Sequence, residues 1–136
     1  MIKNKIINEI QKRSQGISLE KFIDICLFDN EGYYETLNPL GKSGDFITSP
    51  EISQLFGEIL GLYIYCLWQD KLKENFNLIE LGPGNGTLLI DILRITKTLA
   101  KFHHYLNIHL IEKNKYLIKK QKQNLRLNRF ENINLK

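Results

Sequence analysis

Cysteine is scarce in this sequence of 136 residues, which contains only Cys26 and Cys66. The two do not lie at a spacing typical of a metal site, and both fall within apolar helical patterns. We therefore predict reduced thiols in the core. No metal site is expected.

Long apolar runs are also absent, and the longest is well short of the roughly 20 residues that a membrane-spanning helix needs. The first residues pass directly into a helical pattern that contains Glu9. They lack the apolar centre of a secretory signal and the acid-poor composition of a transit peptide. We therefore expect a soluble protein in the cytoplasm, with no membrane partner.

Valine is absent and alanine occurs once, whereas isoleucine, lysine and asparagine are frequent. This skew is typical of a base bias in the coding sequence. The net charge of +4 conceals a gradient, because residues 1–90 carry 8 Lys/Arg against 12 Asp/Glu and residues 91–136 carry 11 against 3. The basic part could contact RNA, but no aromatic residues are interleaved for base stacking. A nucleic-acid partner is therefore not favoured.

Residues 1–75 are predicted to form a segment of helices and loops. Apolar spacing indicates a helix over residues 2–13 and a second helix with Ser18 as its N-cap. Three glycines and a proline predict an irregular loop over 32–45. Ser49 as N-cap, with Pro50 and Glu51, predicts a long helix to about residue 72 that is buried on one side.

Residues 76–136 are predicted to form a second unit with an α/β pattern. Residues 76–81 indicate a strand, which a glycine-rich loop and a helix from Thr87 to about Leu99 follow. Another strand over 105–111 and a Lys/Gln-rich helix over about 114–128 complete the pattern. Residues 76–112 therefore predict one βαβ unit.

The loop between that strand and helix is the most informative motif, and it reads Glu80-Leu-Gly82-Pro-Gly84-Asn-Gly86-Thr. Glycines in this position let the backbone approach a ligand, and the next helix offers free N–H groups. The dinucleotide fingerprint G-x-G-x-x-G does not fit, because the third glycine comes one residue early. The acid and the G-x-G-x-G spacing resemble the first motif of class I S-adenosylmethionine-dependent methyltransferases. The alternative is a tight turn without a ligand.

Glu112 follows the second strand, 26 residues after Gly86. A carboxylate there can accept hydrogen bonds from both hydroxyls of a ribose. We therefore predict that Glu80, Gly82, Gly84, Gly86 and Glu112 bind the cofactor. A solvated strand end is the alternative for Glu112.

Polar residues around the start of the predicted long helix form a second candidate group. Carboxylates suit a guanidinium, which they bind through paired hydrogen bonds. An alternative is that these side chains only cap the helix. His103, His104 and His109 show no spacing of metal ligands, and no catalytic residue is assigned. The candidate substrate or lid residues are Asp45, Thr48, Glu51 and Gln54.

Three stretches together resemble one family more closely. They are Gly32-Tyr33-Tyr34, the run from Gly44-Asp45-Phe46 to Phe56-Gly57-Glu58, and the run from Glu80 to Leu88. In this order they are similar to the family of the mitochondrial complex I assembly methyltransferase and its bacterial relatives, over roughly residues 16–95. The resemblance implies a protein arginine methyltransferase that uses S-adenosyl-L-methionine.

The resemblance also implies a longer protein. Family members are well over twice this length, so we expect a truncated, incomplete Rossmann-like class I methyltransferase sheet after the helical segment. Its partners would be a protein substrate with an arginine side chain and the missing C-terminal half as a separate chain. The alternatives are a non-catalytic remnant or half of a split gene, and a nucleic-acid-binding module that uses the basic tail.

Overall fold

The computed structural model describes residues 1–36, 44–99 and 101–130. Its elements lie in the chain order α1 to α5, β1, α6, β2 and α7. A π-helical turn over Trp68–Leu72 follows α5, and a 3₁₀ turn over Phe102–His104 precedes β2. The bounds are α1 Ile2–Gln11, α2 Leu19–Phe28, α3 Tyr33–Thr36, α4 Ser49–Ile52, α5 Gln54–Leu67, β1 Phe76–Leu81, α6 Thr87–Thr96, β2 Leu106–Ile111 and α7 Lys115–Leu127.

The first two helices agree with the apolar spacing that predicts them. Ser18 caps α2, and its Oγ accepts a hydrogen bond from the N–H of Lys21 at 3.2 Å. The predicted loop over 32–45 is partly wrong, because Tyr33–Thr36 forms the short helix α3. Residues 37–43 of that loop lie outside the described residues.

The predicted long helix is two helices. Thr48, not Ser49, is the N-cap of α4, and Pro50 lies in its first turn. Ser53 has an extended backbone with φ −146° and ψ 121°, which separates α4 from α5. The continuous helix that the apolar spacing predicts is therefore interrupted after its first turn.

Helix α5 packs against α6 through two small residues. A Cβ built on Gly57 would lie 2.5 Å from Cβ of Asp91, and one on Gly61 would lie 2.8 Å from Cγ2 of Ile95. These distances leave no space for a side chain, which confirms that the two glycines permit close approach. The apolar spacing predicts that the long helix is buried on one side, but the described residues cover little of α5 apart from its two glycines. Most of its apolar side chains are exposed: Leu55, Phe56, Ile59, Leu62, Tyr63 and Leu67.

The two strands form a parallel pair, as the βαβ pattern predicts. Their register pairs Phe76 with Leu106 and Leu81 with Ile111, so both strands end at the same edge. One face of the pair contributes to the hydrophobic core with α6, α7 and the 3₁₀ turn. The core residues are Trp68, Leu89, Ile90, Leu93, Phe102, Leu106, Ile108, Leu125 and Phe130.

The other face of the strand pair is uncovered by the described residues. Ile79 is 59%, Leu81 is 76% and Ile111 is 55% exposed. Parallel sheets are normally covered on both faces. The apolar residues at the carboxyl end of this face therefore lack a cover among the described residues, whereas its amino end is polar, with Asn77 paired to Asn107.

Neither cysteine lies in the core. Cys26 is only half-buried and Cys66 is exposed, so the prediction of buried thiols is wrong. Both are free thiols, as expected. Among the described residues, no helix is long and apolar enough to cross a membrane.

Candidate functional site

The glycine-rich loop connects the end of β1 to the start of α6. Gly82, Gly84 and Gly86 have φ values of +65°, +54° and +77°, a region that side chains disfavour. The N–H of Gly82 donates to the carbonyl of Ile111 at 2.9 Å, which attaches the loop to the end of β2. The loop therefore lies at the carboxyl edge of both strands, where ligands of parallel sheets bind.

Two clefts meet at this loop, and Gly82 and Gly84 line both. One, of about 350 Å³, is also lined by Phe28, Tyr34 and Glu112. The other, of about 280 Å³, is lined by residues of β1, the loop and the start of α4. An elongated ligand that crosses the glycines could occupy both clefts.

Glu112 lies beside the loop, as predicted, but with different hydrogen bonding. Its Oε1 accepts from the N–H of Lys113 at 2.8 Å and from the N–H of Asn114 at 2.9 Å. These two bonds fix the carboxylate and occupy one of its oxygens. Oε2 has no protein partner within the described chain, so it is the oxygen that is available to a ribose, and the role of Glu112 stays a prediction.

Glu80 lines the smaller cleft and shares the core-facing side of β1 with Leu78. Burial raises the pKa of its carboxyl to about 7. Glu80 therefore changes charge near neutral pH.

Glu51 contacts the loop from the first turn of α4. Its Oε1 accepts from Nδ2 of Asn85 at 2.9 Å and from Oγ1 of Thr87 at 2.7 Å. The Oδ1 atom of Asn85 is buried and has no partner within the described chain. The Asn85 side chain is therefore held through its Nδ2 atom, which donates to Glu51, and not through its oxygen.

The structure divides the four predicted substrate or lid residues into two pairs. Thr48 and Glu51 line the smaller cleft. Asp45 instead accepts a hydrogen bond from the hydroxyl of Tyr33, and Gln54 donates to Glu58 at 2.5 Å. Neither Asp45 nor Gln54 lines either cleft.

Helix α7 contributes two residues that sequence reasoning missed. Nε2 of Gln121 donates to the carbonyl of Gly84 at 2.8 Å, and Nδ2 of Asn124 donates to the carbonyl of Asn85 at 2.9 Å. Gln121 lies between Leu117 and Leu125 at intervals of four residues, and all three are buried. That spacing is the signal that could have identified Gln121 as an inward-facing amide.

The N-terminal segment contacts the site through an aromatic ring. Phe28 stacks on Tyr34 with ring centroids 5.5 Å apart, and Nζ of Lys113 lies 4.4 Å from the centroid of the Phe28 ring. Lys113 also forms an ion pair with Asp24. The end of α2 is therefore attached directly beside Glu112.

The histidines occupy structural positions. Nε2 of His103 forms a hydrogen bond with Oγ1 of Thr96 at 2.8 Å, and Nε2 of His109 lies 3.3 Å from Oδ1 of Asn77. In the described ranges, no group of three His, Cys, Asp or Glu side chains could hold a metal ion.

Comparisons with known proteins agree with this geometry. Residues 59–134 match the model of a family described as "Putative S-adenosyl-L-methionine-dependent methyltransferase". A crystal structure of a protein from Burkholderia thailandensis, described as a "COG1565 superfamily member and likely methyl transferase" and bound to S-adenosyl-homocysteine, superposes with a TM-score of 0.80 at 19% identity. The superposition covers 99% of this chain and 36% of that chain. The fold prediction is thereby confirmed.

Curated relatives also match part of this chain. The rat mitochondrial protein arginine methyltransferase NDUFAF7 is 49% identical over 85 residues, which cover 60% of this chain and 20% of the rat protein. The Xenopus tropicalis protein of the same name is 41% identical over 112 residues, which cover 80% of this chain and 26% of that protein. The chain therefore spans about a fifth to a quarter of the length of these relatives, and the predicted resemblance is confirmed.

One expectation is wrong. The rat, bovine and human relatives are named mitochondrial proteins, which contradicts the predicted cytoplasmic location. That expectation rested only on the lack of a recognisable leader, which is weak evidence. The family model matches more than half of the sequence, and the chain belongs to this family of S-adenosyl-L-methionine-dependent methyltransferases.

Proposed function

We propose that this chain forms the cofactor-binding part of an S-adenosyl-L-methionine-dependent methyltransferase. The observation that carries the proposal is the glycine loop, with three left-handed glycines between two clefts at the carboxyl edge of a parallel strand pair. Side chains at these positions would strain the backbone and crowd a ligand. The loop therefore suits close contact with an elongated cofactor.

The residues fit the two ends of this cofactor. The backbone of Gly82, Gly84 and Gly86 would contact the cofactor along its length. In the larger cleft, Oε2 of Glu112 would accept hydrogen bonds from the ribose hydroxyls. Glu80 would lie near the cationic methionine part in the smaller cleft. When bound, the cofactor supplies an electrophilic methyl group.

We propose a protein arginine side chain as the methyl acceptor. The support is that the curated relatives are named protein arginine methyltransferases. The rat protein is 49% and the Xenopus tropicalis protein 41% identical to this chain over the matched residues. Thr48 and Glu51 are the candidate substrate or lid residues that remain at the cleft. Because Glu51 already binds the loop, we assign it first to holding the loop and only indirectly to the acceptor.

We also propose that catalysis requires further strands of a methyltransferase sheet beyond β1 and β2. Two observations support this requirement: the uncovered apolar side chains of Ile79, Leu81 and Ile111, and the coverage of only 36% of the superposed protein. A polypeptide that carries the remaining strands, added to this chain, should form a complex, which Leu81→Lys should abolish. Methyl transfer by the folded chain without those strands would overturn the requirement.

Calorimetric titration with S-adenosylhomocysteine tests the cofactor proposal. We expect wild type to bind and Gly84→Val to show no heat, because a β-branched side chain at φ +54° distorts the loop. Gly16→Val is the matched control, since Gly16 also has a positive φ of +75° but contacts neither cleft. It should retain wild-type affinity.

The opposite results distinguish the alternatives. If wild type does not bind the ligand while remaining folded by circular dichroism, the result favours a non-catalytic remnant or half of a split gene. If Gly84→Val binds as tightly as wild type, the ligand does not use this loop.

A further inference from the structure

The most buried polar side chain at the loop belongs to α7. Gln121 is only 3% exposed, although its helix is otherwise rich in exposed lysine and glutamine. A buried amide is costly unless it forms hydrogen bonds. Gln121 forms one with the carbonyl of Gly84 at 2.8 Å.

Gln121 also packs against the third glycine of the loop. A Cβ built on Gly86 would lie 3.4 Å from Cγ of Gln121, so the side chain lies directly along the loop backbone. Asn124, three residues later on the same helix face, donates to the next carbonyl, that of Asn85. Two consecutive carbonyls of the loop thus point towards α7.

The direction of the Gly84 carbonyl fixes the direction of an N–H group. In a trans peptide the C=O and the following N–H point in opposite directions, and the described chain contains no cis peptide. The N–H of Asn85 therefore points away from α7. It has no acceptor in the described part of the chain, whereas the N–H of Gly86 donates to the carbonyl of Pro83 at 2.8 Å.

We propose that Gln121 is a positioning residue for the cofactor. By holding the Gly84 carbonyl, it presents the N–H of Asn85 to the carboxylate of the methionine part of S-adenosylmethionine. This inference rests on the proposed function. It adds a specific role for a residue of α7 that contacts the loop at a different atom from those that Glu51 contacts.

The test compares two ligands that differ in the amino-acid part, which includes the carboxylate. S-adenosylhomocysteine carries the amino-acid part, and 5′-methylthioadenosine lacks it. Gln121→Met removes the donor at similar volume and should weaken S-adenosylhomocysteine binding by about tenfold, the effect of one hydrogen bond to a charged group. Its affinity for 5′-methylthioadenosine, measured by competition, should stay within about twofold of wild type, because that ligand has no carboxylate to bind.

Gln123→Met is the matched control, because Gln123 is exposed on the same helix. It should bind both ligands as wild type does. Equal weakening of both ligands by Gln121→Met would indicate general damage to the loop and overturn the proposal, as would unchanged affinity for S-adenosylhomocysteine.

Hydrogen exchange of the wild-type Asn85 amide gives a second readout that needs no variant. Its exchange should slow in S-adenosylhomocysteine but not in 5′-methylthioadenosine. If 5′-methylthioadenosine does not bind, or if Gln121→Met does not fold, the exchange measured in S-adenosylhomocysteine decides the outcome. Unchanged exchange in bound S-adenosylhomocysteine overturns the role of Gln121 and leaves the cofactor proposal intact. A wild type that binds neither ligand overturns both.

Discussion

Replacing Glu51 with alanine should destabilise the glycine loop more than the loss of an ordinary surface carboxylate. The change removes the acceptor of two hydrogen bonds, from Nδ2 of Asn85 at 2.9 Å and Oγ1 of Thr87 at 2.7 Å. Because Oδ1 of Asn85 is already buried without a partner, the amide would lose its remaining side-chain contact to an acceptor. Each bond to a charged group contributes about 1.5 kcal/mol or more, so we expect a loss of about 3 kcal/mol in the free energy of unfolding.

Urea denaturation followed by circular dichroism measures this loss. Glu51→Gln keeps an acceptor oxygen, so both hydrogen bonds can still form, although neutral bonds are weaker than bonds to a charged group. Its free energy of unfolding should therefore fall by less than about 1 kcal/mol. Glu74→Ala removes an exposed carboxylate elsewhere and should change stability by less than about 0.5 kcal/mol. If Glu51→Ala and Glu74→Ala unfold at the same urea concentration, the two bonds do not hold α4 to the loop and the reasoning fails.

Two further predictions concern packing and pH. Gly61→Ala should lower the free energy of unfolding by about 1 kcal/mol despite the better helix propensity of alanine, because its Cβ would lie 3.0 Å from the Ile92 Cα. Exposed Ile59→Ala is its control in urea denaturation, and a stabilised Gly61→Ala would contradict the close packing. Burial raises the pKa of Glu80 from 4.5 to about 7, so its protonated form favours folding and stability should fall as pH rises from about 4.5 to 7. Glu80→Gln should lack this part of the pH dependence. If the free energy of unfolding of wild type and of Glu80→Gln falls in parallel as pH rises, the raised pKa of Glu80 is refuted.

The sequence predicts local elements well where the pattern is periodic or a cap is clear. Strand β1 spans the predicted residues, and Ser18 caps α2 as expected. The break at Ser53 is not predictable in this way, because no glycine or proline lies at that position and the apolar spacing continues across it. Apolar spacing in α5 likewise predicts a buried face but does not identify what covers it.

The candidate site shows the same limit. The positions of the loop and Glu112 follow from the rule that neighbouring parallel strands end at one edge. The contacts of Glu51 and Gln121 with the loop join residues 34 to 37 positions apart, which spacing alone does not reveal. The spacing also does not predict that the two carboxylate oxygens of Glu112 differ. Oε1 accepts hydrogen bonds from the N–H groups of Lys113 and Asn114, which leaves Oε2 for a ligand.

The position of Phe28 between Tyr34 and Lys113 has a thermodynamic consequence. The backbone N–H of Lys113 donates to Glu112, so the same residue contacts both the N-terminal helices and the carboxylate beside the glycine loop. Coupling between two such sites is reciprocal. If a ligand that binds at Glu112 strengthens the attachment of α2 through Lys113, detaching α2 must weaken that ligand by the same factor.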